Sequence, residues 1–187
     1  VFNCLMHNFL KQYYFINKFN PGHLTNLSKN IGIIYRNYTK NNNILTIKKI
    51  NEFCKSNGRK FYLSNNIKLA IKMDLDGVYF PSFERSLVHN CYNLKKNFKI
   101  IGSAHNLFEM NIKKKQKVSE VFISPVFKKK GRNALGIYGF IKLRNSTNIK
   151  SVVLGGVDNS NFKKIKKLKC YGFAAINFFD KKKGPSK

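Results

Sequence analysis

Tryptophan is absent, acidic residues number only 8 in 187, and there are just 4 prolines, 12 glycines and 4 cysteines. Each shortage closes off a class. So little glycine and proline excludes collagen-like and low-complexity chains. Cys4, Cys54, Cys91 and Cys170 form no CxxC pair and are not grouped with histidine at zinc spacing, which argues against a disulfide framework or a structural zinc site. Free thiols in a reducing compartment are the expectation. No apolar run approaches the roughly 20 residues that a membrane-spanning helix needs. The start, Val1-Phe2-Asn3-Cys4, lacks the basic segment and apolar stretch of a signal peptide. A soluble cytoplasmic protein is therefore expected.

What the chain does have is base. Lys and Arg total 36 and the formal net charge is +28, yet Arg36, Arg59, Arg85, Arg132 and Arg144 are the only arginines. Lysine, asparagine and isoleucine enriched together against arginine is what an AT-biased coding sequence produces. One reading is a solvated lysine surface; the other is a protein that holds polyanions. Lys113 to Lys115 and Lys163 to Lys169 fall on presumptive outer helices and read as solvated faces. No basic motif interleaved with aromatics is present, so nucleic acid is not an expected partner.

With 43% apolar and 14% aromatic residues, the chain can bury one core, and 1–187 reads as a single domain. Short apolar runs recur at Tyr13–Asn17, Ile31–Tyr38, Lys60–Asn65, Gly77–Ser82, Ile100–His105, Glu120–Phe127, Ser151–Val157 and Gly172–Phe179. Runs without strict alternation fit strands buried on both faces. Between them, Ile44–Asn57, Ile67–Met73, Leu107–Lys117 and Asn161–Lys169 carry helical spacing, with Gly58 placed as a C-cap. Strand alternating with helix predicts an α/β fold, a minimal (β/α)8 TIM barrel; a doubly wound open sheet is the alternative. The first crossover, Pro21 to Asn30, is short and the last helix is truncated. Residues 1–12 form an N-terminal extension over the barrel floor and 180–187 a basic tail. The missing helix would leave an apolar flank for a second copy to cover, a homodimer.

In such barrels chemistry gathers at the C-terminal ends of the strands. Gly155-Gly156 lies at the end of strand seven, where adjacent glycines suit a phosphate or simply a tight turn. His105, at the end of strand five beside small polar residues, fits a general base or a hydrogen-bonded structural histidine. His7, His23 and His89 read as surface residues.

These segments resemble a family. Lys60-Phe-Tyr-Leu-Ser-Asn-Asn-Ile-Lys-Leu-Ala through Asp76-Gly-Val-Tyr-Phe-Pro is similar to the "LxxNDxxxLAxxxxADGVHLG" stretch of thiamine phosphate synthase and its relative thiazole tautomerase. Ile101-Gly-Ser-Ala-His resembles their "GxSxH" segment, Ser124-Pro-Val-Phe their "GPVF", Val152-Val-Leu-Gly-Gly-Val their "VVAIGGI", and Gly172-Phe-Ala-Ala-Ile-Asn their "GVAVIS". The resemblance covers most of residues 13–179 in order. It implies a barrel enzyme of thiamine biosynthesis that joins hydroxymethylpyrimidine pyrophosphate to thiazole phosphate, releases pyrophosphate and uses Mg2+.

Carried over by position, Arg36 would contact pyrophosphate and Ser103 the pyrophosphate or pyrimidine; these two, with His105, are the catalytic candidates. Asn65, Lys129, Lys130, Gly155, Gly156, Ile176 and Asn177 are the further substrate-binding candidates, with Glu84 as metal ligand. The departures are specific. Ile34 and Tyr38 replace the Gln and Lys of the family's "QxRxK". Asn65 stands where a metal-binding Asp is found, which weakens the Mg2+ site. Lys128-Lys-Lys-Gly-Arg132 replaces the "PTxTK" loop. Two alternatives remain. A thiazole tautomerase would use His105 as general base without metal; a non-catalytic barrel would bind a phosphorylated ligand or nucleic acid through its lysines.

Overall fold

Each apolar run does become a strand, and the strands close on themselves. In a computed structural model, which describes residues 10–38, 44–128 and 133–180, eight parallel strands form a closed barrel in sequence order. They are β1 (Lys11–Ile16), β2 (Ile31–Tyr35), β3 (Phe61–Ser64), β4 (Gly77–Phe80), β5 (Lys99–Ala104), β6 (Glu120–Ile123), β7 (Lys150–Leu154) and β8 (Gly172–Ala175). The helices between them are α1 (Pro21–Thr25), α2 (Ile44–Ser56), α3 (Ile67–Lys72), α4 (Leu107–Lys115), α5 (Gly136–Asn145), α6 (Phe162–Lys167) and α7 (Asn177–Asp180). The (β/α)8 expectation holds, with its short first crossover, and the open sheet is excluded by the β1–β8 ladder.

Several boundaries need correction. The β4–β5 crossover carries no α-helix, only a 3-10 turn at Val88–Cys91. The last run does not stay extended to Phe179. β8 ends at Ala175 and α7 begins two residues later, because Phe179 packs on Tyr14 and Phe173 from a helical turn. Lys11 and Gln12 belong to β1 rather than to an N-terminal extension. Helix α5 carries no strong periodicity and has no counterpart among the expected helical stretches, and α7 begins inside a run expected as a strand. The flank beside β1 is also less apolar than expected. The groove between α1 and α7 is lined by Tyr14, Ile16, His23 and Asp180, with Tyr14 donating its hydroxyl hydrogen bond to Asp180.

Alternation along each strand makes two cores. One set of side chains faces the helices, where Ile47, Ile50, Met110, Phe140 and Ile165 are buried. The other fills the barrel: Tyr13, Phe15, Ile34, Tyr62, Tyr79, Ile101, Phe122, Val152 and Ala174. The aromatic rings meet edge to face, with centroids 5.0 Å apart for Tyr13–Phe122 and 5.1 Å for Phe15–Tyr79. At the floor, the Glu120 carboxylate is only 1% exposed and accepts from the Tyr13 hydroxyl and from Lys99 Nζ at 3.3 Å. Arg59, also buried, donates to the carbonyls of Leu24, Leu27 and Ser28 and so ties the short α1 crossover to the start of β3.

Burial lifts the phenol groups of Tyr13, Tyr62 and Tyr79 above their ordinary range, aided at Tyr13 and Tyr62 by Glu120. In the unfolded chain the same phenols ionise near about pH 10. Above that pH the native state holds more protons than the unfolded state, so stability falls as pH rises. The denaturant midpoint is expected to drop between about pH 9 and about pH 11, and Tyr62→Phe should flatten that drop. Equal slopes in parent and variant would remove Tyr62 from this account.

Candidate active site

The C-terminal ends of the strands open onto one face, and two cavities form there. The first, of about 300 Å3, is built from four strand ends. Arg36 follows β2, Ser124, Pro125 and Lys128 follow β6, Gly155 to Asp158 follow β7, and Ile176 and Asn177 follow β8. Five of the sequence candidates therefore meet in one place: Arg36, Gly155, Gly156, Ile176 and Asn177. Lys129 and Lys130 lie outside the described residues; their neighbour Lys128 lines the cavity and is exposed.

Local chemistry explains the arrangement. The Arg36 amide donates to Ile16 O, and its guanidinium lies over the Phe15 ring, 5.0 Å from the centroid. That platform leaves a permanent cation at the mouth of the barrel. Gly155 and Gly156 have φ of 90° and 69°, values that favour glycine, and the turn puts main chain rather than side chain against the cavity. A Cβ on Gly156 would sit 2.5 Å from Phe127 O. The acidic residue of this wall, Asp158, is engaged elsewhere. Its Oδ1 accepts from the amides of Ser160 and Asn161 at the entry to α6. Two cations and a main-chain turn thus face a small concave space, which suits an anionic ligand.

The second cavity, of about 330 Å3, lies over β3 and β4 and is lined by Asn65, Asn66, Phe80, Glu84, Ser86 and His89 among others. Asn65 adopts φ 55°, tolerated by Asn, and its Oδ1 is buried with no partner among the described residues. Asn66 is occupied as N-cap of α3, accepting from Leu69 N at 3.0 Å. Glu84 accepts from Ser86 N at 2.7 Å through one carboxylate oxygen. Among the described residues no group of three or more His, Cys, Asp or Glu converges. Glu84 and the orphaned Asn65 oxygen nonetheless make an all-oxygen set. Mg2+ is commonly held by one or two carboxylates together with substrate phosphates, and the pair fits that mode with one charge fewer than two carboxylates would give.

The other two catalytic candidates lie apart. Ser103 is 4% exposed and accepts the Tyr79 hydroxyl at 2.8 Å, inside the barrel mouth. His105 lines neither cavity. Its Nδ1 donates to Glu109 Oε2 at 2.9 Å and its amide to the same oxygen at 2.6 Å, which leaves Nε2 as the nitrogen for a substrate. His89 is not a surface residue. It is buried against Phe80, with Nε2 donating to Gln116 O at 2.9 Å. His23 is half-buried, 3.9 Å from Asp180. His7 lies outside the described residues.

Lys113 is the largest departure. It faces inward, fully buried, and donates to Pro81 O, Glu84 O and Gln116 Oε1. Burial pushes its ammonium down to about 8, opposed by Glu84 and Glu109. The three-residue step from the buried Met110 to Lys113 and on to Gln116 was the available signal, since that step follows one helix face. Ser124, which opens the Ser124-Pro-Val-Phe motif, and Asp158, beside the glycine pair, also line the first wall, although neither was among the substrate-binding candidates.

A family model described as "Thiamine monophosphate synthase" matches residues 29–179. A thiamine-phosphate synthase of Prochlorococcus marinus is 30% identical over 141 residues, which are 73% of this chain and 40% of that protein. A thiamine-phosphate synthase of Helicobacter pylori is 25% identical over 134 residues, 68% of this chain and 59% of its own. The chain thus spans about half the length of these curated relatives. Among solved structures, thiamine phosphate pyrophosphorylase from Pyrococcus furiosus superposes with a TM-score of 0.72 at 21% identity, covering 90% of this chain and 86% of that one. At that identity the likeness is one of fold.

Replacing Gly156 with Ala should cost about 1–3 kcal/mol in strain and weaken binding of inorganic phosphate or pyrophosphate, both measurable by calorimetry. Unchanged affinity in a folded variant would show that this turn is not in contact with the anion.

Proposed function

The chain belongs to the thiamine monophosphate synthase family, and from that premise we propose that it joins hydroxymethylpyrimidine pyrophosphate to thiazole phosphate and releases pyrophosphate. One observation carries the reading: Arg36, Gly155-Gly156 and Ile176-Asn177, from three separate strand ends, line one cavity beside exposed Lys128. A two-substrate condensation needs two anionic groups held close together, and this wall has the cations and main chain for it. Acting on soluble phosphorylated substrates, the protein would work in the cytoplasm; no helix among the described residues is long and apolar enough to cross a membrane. Homodimerisation belongs to the same proposal.

The bond between the pyrimidine methylene carbon and the pyrophosphate oxygen breaks, and the pyrophosphate takes the electron pair. The lone pair of the thiazole nitrogen then forms the new C–N bond. Arg36 neutralises the departing charge, stacked on Phe15 so that it needs no reorganisation as charge develops. The Gly155-Gly156 turn and the start of α7 hold the thiazole phosphate and so aim the nitrogen. Ser103, fixed by the Tyr79 hydroxyl, orients the ring end of the pyrimidine substrate. Glu84 and Asn65 would hold Mg2+, which when bound offsets the charge of the pyrophosphate. Arg36 and the Asn65–Glu84 pair line separate cavities; because β2, β3 and β4 are neighbours, on this reading they would flank one leaving group from adjacent strand ends.

A thiazole tautomerase is the second reading, favoured by the Glu109–His105 contact, which leaves Nε2 to act as base. Incubation with both substrates is expected to yield thiamine phosphate only with Mg2+ present, and Arg36→Ala should lower the rate by about 10²–10³. Metal-independent aromatisation of the thiazole tautomer, lost in His105→Ala, would replace the synthase assignment. Ligand binding without turnover of either kind would identify a non-catalytic barrel. Asn65→Asp restores a carboxylate at a backbone conformation that Asp also tolerates. It should lower the Mg2+ concentration needed for half-maximal rate; a rise or no change would remove Asn65 from the metal site.

A further inference from the structure

A lysine with no exposed surface, on the helix layer of a barrel, is an expensive choice for that position. Lys113 is such a residue, and among the described residues no carboxylate pairs with its ammonium. A desolvated ammonium must be matched by acceptors or it destabilises the fold. Here all three donors are used. Nζ donates to Pro81 O at 2.8 Å, Glu84 O at 3.0 Å and Gln116 Oε1 at 2.8 Å. The stem runs across β5 at Gly102, where a Cβ would stand 3.1 Å from Lys113 Cδ.

Gln116 completes the arrangement. It too is fully buried, and its Nε2 donates to Glu84 O at 3.1 Å and Ser86 O at 2.9 Å. Its own carbonyl accepts from His89 Nε2. The segment after β4 is therefore pinned to the end of α4 at Pro81, Glu84, Ser86 and His89. The Glu84 carbonyl is held twice, by Lys113 and by Gln116. Fixing that peptide fixes where the Glu84 side chain starts, and this side chain lines the second cavity with the orphaned Asn65 oxygen. The crossover has no α-helix of its own to position it, only the 3-10 turn at Val88–Cys91.

We propose that Lys113 and Gln116 are positioning residues, which hold the 81–89 segment against α4 and thereby set the Glu84 carboxylate at the cation side of the site. The link to a cation rests on the function proposed above; the clamp itself does not. An apolar side chain at 113 would fill the same space but remove one of the two donors held by each of the carbonyls of Pro81 and Glu84, along with the donor to Gln116 Oε1.

The test uses the full chain with Lys113→Met and, should that variant not fold, Gln116→Met. Amide hydrogen exchange across residues 82–89 reads the clamp directly, and is expected to accelerate about tenfold or more while β1 and β8 keep their protection. Mn2+ titration followed by electron paramagnetic resonance reads the consequence. Affinity should fall about tenfold, while binding of inorganic phosphate at the Arg36 cavity changes less than about twofold. Unchanged exchange across 82–89 would overturn the proposal. So would an opened segment with undiminished Mn2+ affinity in a parent that binds Mn2+ through Glu84. If the parent binds no Mn2+, and Glu84→Gln behaves as the parent does, the metal reading fails and exchange alone decides the clamp.

Discussion

The ladder between β1 and β8 joins the first strand of the barrel to the last, and no local preference of the chain can hold it. Lys11 pairs with Gly172 and Tyr13 with Ala174. At the foot of that seam the backbones approach so closely that a Cβ on Gly172 would meet Lys11 O at 2.0 Å. Closure at this point forces the alternate residues of all eight strands into one enclosed interior. Five aromatic rings from β1, β3, β4 and β6 fill most of it. Every loop of the active face takes its position from a strand end, so the site inherits its geometry from that seam and that filling.

Neither cavity belongs to one segment. The anion wall draws on strand ends two, six, seven and eight, and the oxygen pair on strand ends three and four. A rigid barrel suits a reaction that must hold two charged substrates in register, because orientation is supplied before binding rather than during it. The weak point lies on the acidic side. With an amide at position 65, Glu84 is, among the described residues, the one carboxylate lining its cavity, and the fixing of its peptide by Lys113 and Gln116 gains in consequence.

Lysine therefore plays two unlike parts in this chain. Lys114 and Lys115 are exposed on α4, as a composition-driven surface would have them, whereas Lys113 in the same run is wholly enclosed. Arg59 repeats the lesson among the arginines. It serves the short α1 crossover by donating to three carbonyls and has no ligand role in view. The high net charge of the chain is not one property but a sum of several, and among the described residues Arg36 and Lys128 contribute it at the cavity bounded by the Gly155-Gly156 turn.

Eight apolar runs with turns between them were enough to point to parallel βαβ units, because strand burial on both faces is a local, periodic property of the chain. Closure into a barrel rather than an open sheet was settled by the β1–β8 ladder. The same local legibility holds for the glycine turn, since Gly155-Gly156 is readable as a pair, and for Arg36 at a strand end. The family resemblance was legible for the same reason, being carried by strand-end words in order. What only the tertiary structure decided was which of these residues share a space. Arg36 joined the glycine turn, Asn65 joined Glu84, and His105 went to Glu109 instead of to either cavity. The inward turn of Lys113 and the burial of His89 were likewise decided there. Both depend on the rotation of α4 against a loop from the preceding crossover, a relation between distant segments that no window of sequence contains.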